Sequence, residues 1–187
     1  SWSRAEALLH LNTMPPGFVV GLLNPFSLTG RAFATPGARE LADLNRNELR
    51  TVEMPATNGI GTARSVARLY GCVATGGAEI GMTPGAVGPL INAAVPPTKG
   101  LRDKVLHVDT VFSLGFIKPF AKFKFGSTDK AFGTPGTGGS FGMADPDTGI
   151  GFGYVMNRLG FHLWSDPREL ALRRVLFHDI LGARSQT

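Results

Sequence analysis

The string "STDK" at positions 127–130 places a hydroxyl and an amine three residues apart. At a helix N-terminus that spacing carries the lysine amine, one turn on, to the serine oxygen, where it can activate an acylating nucleophile. Here Gly126 precedes the string and "AFGTPG" follows it closely, leaving no room for a buried helix, so Ser127 and Lys130 are only the weaker catalytic candidates. Just downstream, "GTPGTGG" contributes Thr134, Gly136, Thr137 and Gly138. It lacks the Gly-Lys-Ser/Thr ending of a phosphate-binding loop, and a strand is expected where a helix should follow, which argues against a phosphate or dinucleotide cradle. In "KPFAKFKFG", Lys118, Lys122 and Lys124 interleave with Phe120, Phe123 and Phe125, as base stacking with phosphate contacts would use. The preferred reading is a twisted edge strand or loop with phenylalanines inward and lysines outward. His10, His107, His162 and His178 show neither metal-ligand spacing nor an acid in catalytic order, so no metal is expected. Asp145 and Asp147 are explained by turn chemistry.

The totals narrow the class. A chain of 187 residues, 43% hydrophobic and 18% charged, suits one sizeable domain. Its net charge of +5 is spread without a run of five or six basic residues, which argues against nucleic acid as a partner. A single cysteine, Cys72, excludes an internal disulfide. No stretch of 18 apolar residues indicates a membrane span. "SWSRAEALLHLN" reads as neither a signal peptide nor an initiator-methionine start, so the chain is expected to begin inside a longer product. The compartment stays open, leaning to the cytoplasm.

The elements that must position these residues follow from periodicity and punctuation. Residues 1–60 read as mostly loop and short helices: a helix over 4–11 with Ser3 and Glu6 at capping-box spacing, an ordered loop from Asn12 to Pro36 with a short helix or turn at 25–34, and a helix over 37–44. Helices are expected over 61–97, the first capped by Thr62 with Ala63, Val66, Ala67, Tyr70 and Val73 in its stripe and ended by Gly76 and Gly77. The second is capped by Thr83, opened by Pro84, kinked at Pro89 and stopped by Pro96 and Pro97. Strands are expected over 105–157, with "GGSFGMA" and "GIGFGYVMN" forming a hairpin around "DPDTG". One hairpin face is bulky (Phe141, Met143, Ile150, Phe152, Tyr154) and the other nearly bare, so that a helix can lie close. The helix expected there is the C-terminal one, over 166–182, capped by Asp166 with Glu169 completing a box and Leu172, Val175, Leu176 and Ile180 as its buried stripe. The fold class is α+β, an antiparallel sheet packed by helices in a single, partial domain over 1–187.

"NGIGTARSVARLYG" followed some sixty residues on by "AFGTPGTGGSFGMADPDTGIGFGYVMNRLG" resembles the serine β-lactamase-related family, in its class C-like branch of esterases and penicillin-binding proteins. The likeness runs from about Glu53 to Ala183 and corresponds to the C-terminal half of that fold. The resemblance implies a serine nucleophile in Ser-x-x-Lys, a Tyr-x-Asn or Ser-x-Asn element, and a Lys-Thr-Gly or His-x-Gly triplet on an edge strand. Only the third element is matched: Thr134, Pro135 and Gly136 stand as the triplet, with Thr137 N–H as oxyanion donor and Gly138 beside it. Thr134 carries no charge, and no Tyr-x-Asn or Ser-x-Asn occurs. The resemblance therefore implies the C-terminal part of a serine esterase or amidase acting on a small ester or amide without a cofactor. The implied partner is a missing N-terminal half or a second copy of the chain. The alternatives are a non-catalytic relative that binds a ligand or protein on the same wall and, more weakly, a nucleic-acid binder using Lys118 to Lys124.

Overall fold

The structure, a computed structural model, describes residues 5–35, 37–38, 41–55, 59–92 and 98–182. Two compact units emerge: residues 1–61 with 102–109, and residues 62–101 with 110–187.

In the first unit a 3₁₀ turn over Ala5–His10 precedes α1 (Pro16–Leu23) and α2 (Leu28–Ala32). A 3₁₀ turn over Leu41–Asn45 leads into α3 (Asn47–Arg50). Ser3 and its capping box lie outside the described residues. The run "GFVVGLL", expected within a loop, is helical. Pro16 occupies the first helical position and Phe18, Val19 and Leu22 are buried at helical spacing, so burial outweighs the weak local signal. Ser27 caps α2, its hydroxyl accepting from Gly30 N–H at 2.8 Å. The segment 102–109 is tied down by Thr29, which is fully buried and donates to the Val105 carbonyl at 2.7 Å.

In the second unit α4 (Ala63–Ala74) begins in a reciprocal cap between Thr62 and Ser65. Gly76 and Gly77 follow it with positive φ. Helix α5 (Pro84–Ile91) opens at Pro84 and contains Pro89, while Pro96 and Pro97 lie outside the described residues. Five antiparallel strands then run in chain order: β1 (Phe112–Ser113), β2 (Phe116–Ile117), β3 (Phe132–Pro135), β4 (Phe141–Asp145) and β5 (Ile150–Tyr154). β1 and β2 join through Leu114 and Gly115, both at positive φ, as a tight primed hairpin turn needs. α6 (Pro167–Arg174) closes the unit and continues as a π-helical segment, Val175–Ile180. The expected mixture of helices with an antiparallel sheet is the observed architecture.

The bare sheet face is real, but a different helix lies on it. Gly142, Gly151 and Gly153 face α4. A Cβ at 151 would run into the backbone of Gly71 and Ala67, and one at 142 into the Tyr70 ring. The C-terminal helix sits instead on the bulky face, where Phe177 joins Ile117, Phe123, Phe125, Phe141 and Met143. Its buried stripe also differs from the expected one. Leu172 is 54% exposed, Val175 48% and Ile180 70%, whereas Glu169 and Arg173 are buried. Arg173 donates to Glu169 at 3.0 and 3.2 Å and to the Lys124 carbonyl at 2.7 Å, and lies over the rings of Phe123 and Phe141. Glu169 is thus an ion-pair partner and not half of a capping box. A hydrogen bond from each of the three guanidinium nitrogens makes this charged burial tolerable. Among the described residues no helix is long and apolar enough to cross a membrane.

Candidate functional site

Strand β3 carries Thr134 opposite Gly142 of β4, on the face covered by α4. Glycine at 142 leaves room for the Tyr70 ring, whose hydroxyl is directed toward the Thr134 side chain. Burial pushes the Tyr70 phenol up, and the nearby Thr134 side chain partly offsets that rise. Tyr70 also meets Phe116 edge-on at 6.1 Å, which fixes its ring. Thr134 therefore lies on the side of the sheet that α4 covers. Sequence reasoning placed Tyr70 only in an apolar stripe, and no spacing rule links it to Thr134.

Beyond Pro135 the chain turns back on itself. Gly136 N–H donates to the Ser140 carbonyl at 2.7 Å, and Gly139 N–H to the Gly136 carbonyl at 3.2 Å. Gly138 and Gly139 have φ of 86° and 108°, a backbone that side chains resist. A Cβ at 139 would also meet the Asp166 carboxylate. Thr137 is exposed at the tip, and among the described residues its N–H has no protein acceptor.

This turn is pinned from behind. Arg168 donates to both oxygens of Asp166 at 2.8 and 2.7 Å, to the Arg158 carbonyl at 2.6 Å and to the Gly138 carbonyl at 3.2 Å. Gly160 N–H reaches the same Gly138 carbonyl at 2.8 Å. Hydrogen bonds from Arg168 hold the Asp166 carboxyl below its ordinary range, against the opposing effect of burial. The buried His162 Nδ1 lies 3.8 Å from Asp166. The cavity they line behind the turn, about 10 Å³, has room for one water and not for a substrate. No role for Arg168 was legible in the sequence.

The Ser-x-x-Lys string is not brought together as a catalytic pair. Ser127 lies in a bend, and its hydroxyl and N–H both donate to Asp145 at 3.0 and 2.7 Å. Lys130 pairs with Asp147 at 2.8 Å, beside Thr128, which donates to Asp147 at 2.6 Å. The string is thus a loop laced onto the "DPD" turn. Of the interleaved lysines, Lys122 and Lys124 face outward but Lys118 is buried. Its ammonium donates to the carbonyls of Leu90, Ile91 and Lys130 at 3.2, 2.8 and 2.8 Å. Phe123 and Phe125 are buried in the core and so present no face for base stacking. Among the described residues no group of three or more His, Cys, Asp or Glu side chains could hold a metal ion.

Comparison with known proteins gives the family and the fold. Residues 23–174 match the Beta-lactamase family model. "Esterase/beta-lactamase LipL" of Mycobacterium tuberculosis is 31% identical over 172 aligned residues, which cover 81% of this chain and 39% of that protein. Among solved structures, a penicillin-binding protein homologue from Caulobacter crescentus is 34% identical, with a TM-score of 0.65 over 81% of this chain and 40% of its own. A family VIII carboxylesterase is 33% identical, with a TM-score of 0.62 over 70% of this chain and 35% of its own. EstA from Arthrobacter nitroguajacolicus Rue61a is 26% identical, with a TM-score of 0.65 over 87% of this chain and 43% of its own. The chain thus spans about two fifths of the length of the relatives it matches.

Proposed function

The chain belongs to the beta-lactamase family, and from that premise we propose that it supplies the acyl-group wall of a serine hydrolase acting on a small ester or amide. The observation that carries this reading is the β3–β4 turn, where Thr137 N–H stands unengaged at the tip of a pinned backbone. In acyl transfer a serine oxygen attacks the carbonyl carbon, and charge gathers on the carbonyl oxygen of the tetrahedral intermediate. A fixed N–H aimed at that oxygen stabilises the charge without reorganising during the step. Thr137 N–H takes this role, Thr134, Gly136 and Gly138 shape the wall beside it, and no cofactor enters. The nucleophile comes from residues outside this wall, since the hydroxyl of Ser127 is committed to Asp145 and Lys130 to Asp147. The partner that carries it is an N-terminal half of the fold or a second copy of the chain.

A second reading rests on a specific observation. Thr134 is uncharged and lies beside Tyr70, which suits a non-catalytic relative that binds a ligand or a protein on the same wall. The two readings part on turnover. In the protein that unites this wall with its nucleophile, Thr137→Pro removes the N–H and lowers kcat on p-nitrophenyl acetate by about 10²–10³, with KM little changed. Unchanged turnover on that substitution would remove Thr137 N–H from the oxyanion role, and no turnover by the parent protein would favour the binding relative.

A further inference from the structure

We propose that Arg168 is the positioning residue that sets the direction of the Thr137 N–H, an inference that rests on the hydrolase reading. A trans peptide is a rigid plate whose C=O and N–H point opposite ways, and no peptide of the described chain is cis. The plate that carries Thr137 N–H carries the Gly136 carbonyl on its other side. That carbonyl is held by Gly139 N–H at 3.2 Å. Gly139 N–H belongs in turn to the plate bearing the Gly138 carbonyl, and this one is held by Gly160 N–H at 2.8 Å and Arg168 Nη2 at 3.2 Å. Two plates joined by one hydrogen bond thus link the guanidinium to the donor at the tip.

The guanidinium fixes the second anchor as well. Its Nη1 donates to the Arg158 carbonyl at 2.6 Å, which steadies the loop from which Gly160 reaches the turn. The fork is itself held by both oxygens of Asp166, a side chain only 3% exposed that caps α6 by accepting from Arg168 N–H at 3.0 Å. A cation against the Gly138 carbonyl also polarises that peptide and strengthens donation by Gly139 N–H. A lysine at 168 would keep the charge but present a single ammonium, unable to span Asp166, Arg158 and Gly138 in one plane.

The test is the direction of individual N–H bonds, read as residual dipolar couplings in the ¹⁵N-labelled chain, with amide exchange in parallel. In Arg168→Ala and Arg168→Lys the couplings of Thr137 and Gly139 should collapse toward zero and the Gly160 amide should exchange faster. Couplings in β3, β4 and β5 should stay as they are. If Arg168→Ala does not fold, Asp166→Asn, which releases the fork, is read in the same way. Unchanged Thr137 and Gly139 couplings in the folded variants would overturn the proposal, and so would loss confined to the alanine variant. In the united protein Arg168→Lys should lower kcat on p-nitrophenyl acetate about tenfold or more with KM held, and a change in KM alone would also overturn it. The couplings are measured without any substrate, so a failed hydrolase reading and a failed role for Arg168 leave different records.

Discussion

Lys118 shows what a single buried charge does here. It is 1% exposed and bonds three backbone carbonyls that converge from α5 and the loop before β3. Burial lowers its ammonium from 10.5 to about 8. Between those values the unfolded chain holds a proton that the folded chain has released, so stability rises as pH rises through that window. Urea unfolding from pH 7 to 10.5 should show this slope, and Lys118→Met should flatten it at a cost in stability of about 1–3 kcal/mol from the carbonyls left bare. An identical slope in the variant would place the titration elsewhere. The sequence showed Lys118 only as one of three alternating lysines. Its burial is invisible to alternation because the segment folds as a loop, closed by Phe120 and Phe123, and not as a strand.

At the scale of elements, contact between helix α4 and the sheet depends on missing side chains. Gly151 meets the backbone of Gly71 and Ala67, so Gly151→Ala must push the helix off the sheet. The expected cost is about 3 kcal/mol or more, beyond the usual range for a surface change, and thermal melting would read it. A melting temperature within a degree or two of the parent's would contradict this packing. The hairpin's bulky and bare faces were legible from alternation, as was the Thr62 start of α4. The choice of helix for the bare face was not, because chain order suggested the helix that follows at once. The face of α6 was misread for another reason: periodicity counts apolar residues, and here a paired Glu169 and Arg173 occupy the buried side. Leu172, Val175 and Ile180 are left on the outside.

For the whole molecule, family and fold class were readable because the hairpin, its turn and the helix after it keep their order and their glycines. The proposed site was named in the sequence only in part. Thr134, Gly136, Thr137 and Gly138 were proposed from the triplet, whereas Tyr70 lies beside Thr134 from 64 residues away and Arg168 holds the Gly138 carbonyl from 30 residues away. Contacts over such separations leave no local pattern. In the proposed function this chain forms a wall and an oxyanion donor while the nucleophile lies elsewhere. The most direct test is the intact mass of the purified chain after treatment with a fluorophosphonate, with Ser127→Ala beside it. Neither protein should gain mass. An adduct that disappears in Ser127→Ala would make Ser127 the nucleophile and contradict the account.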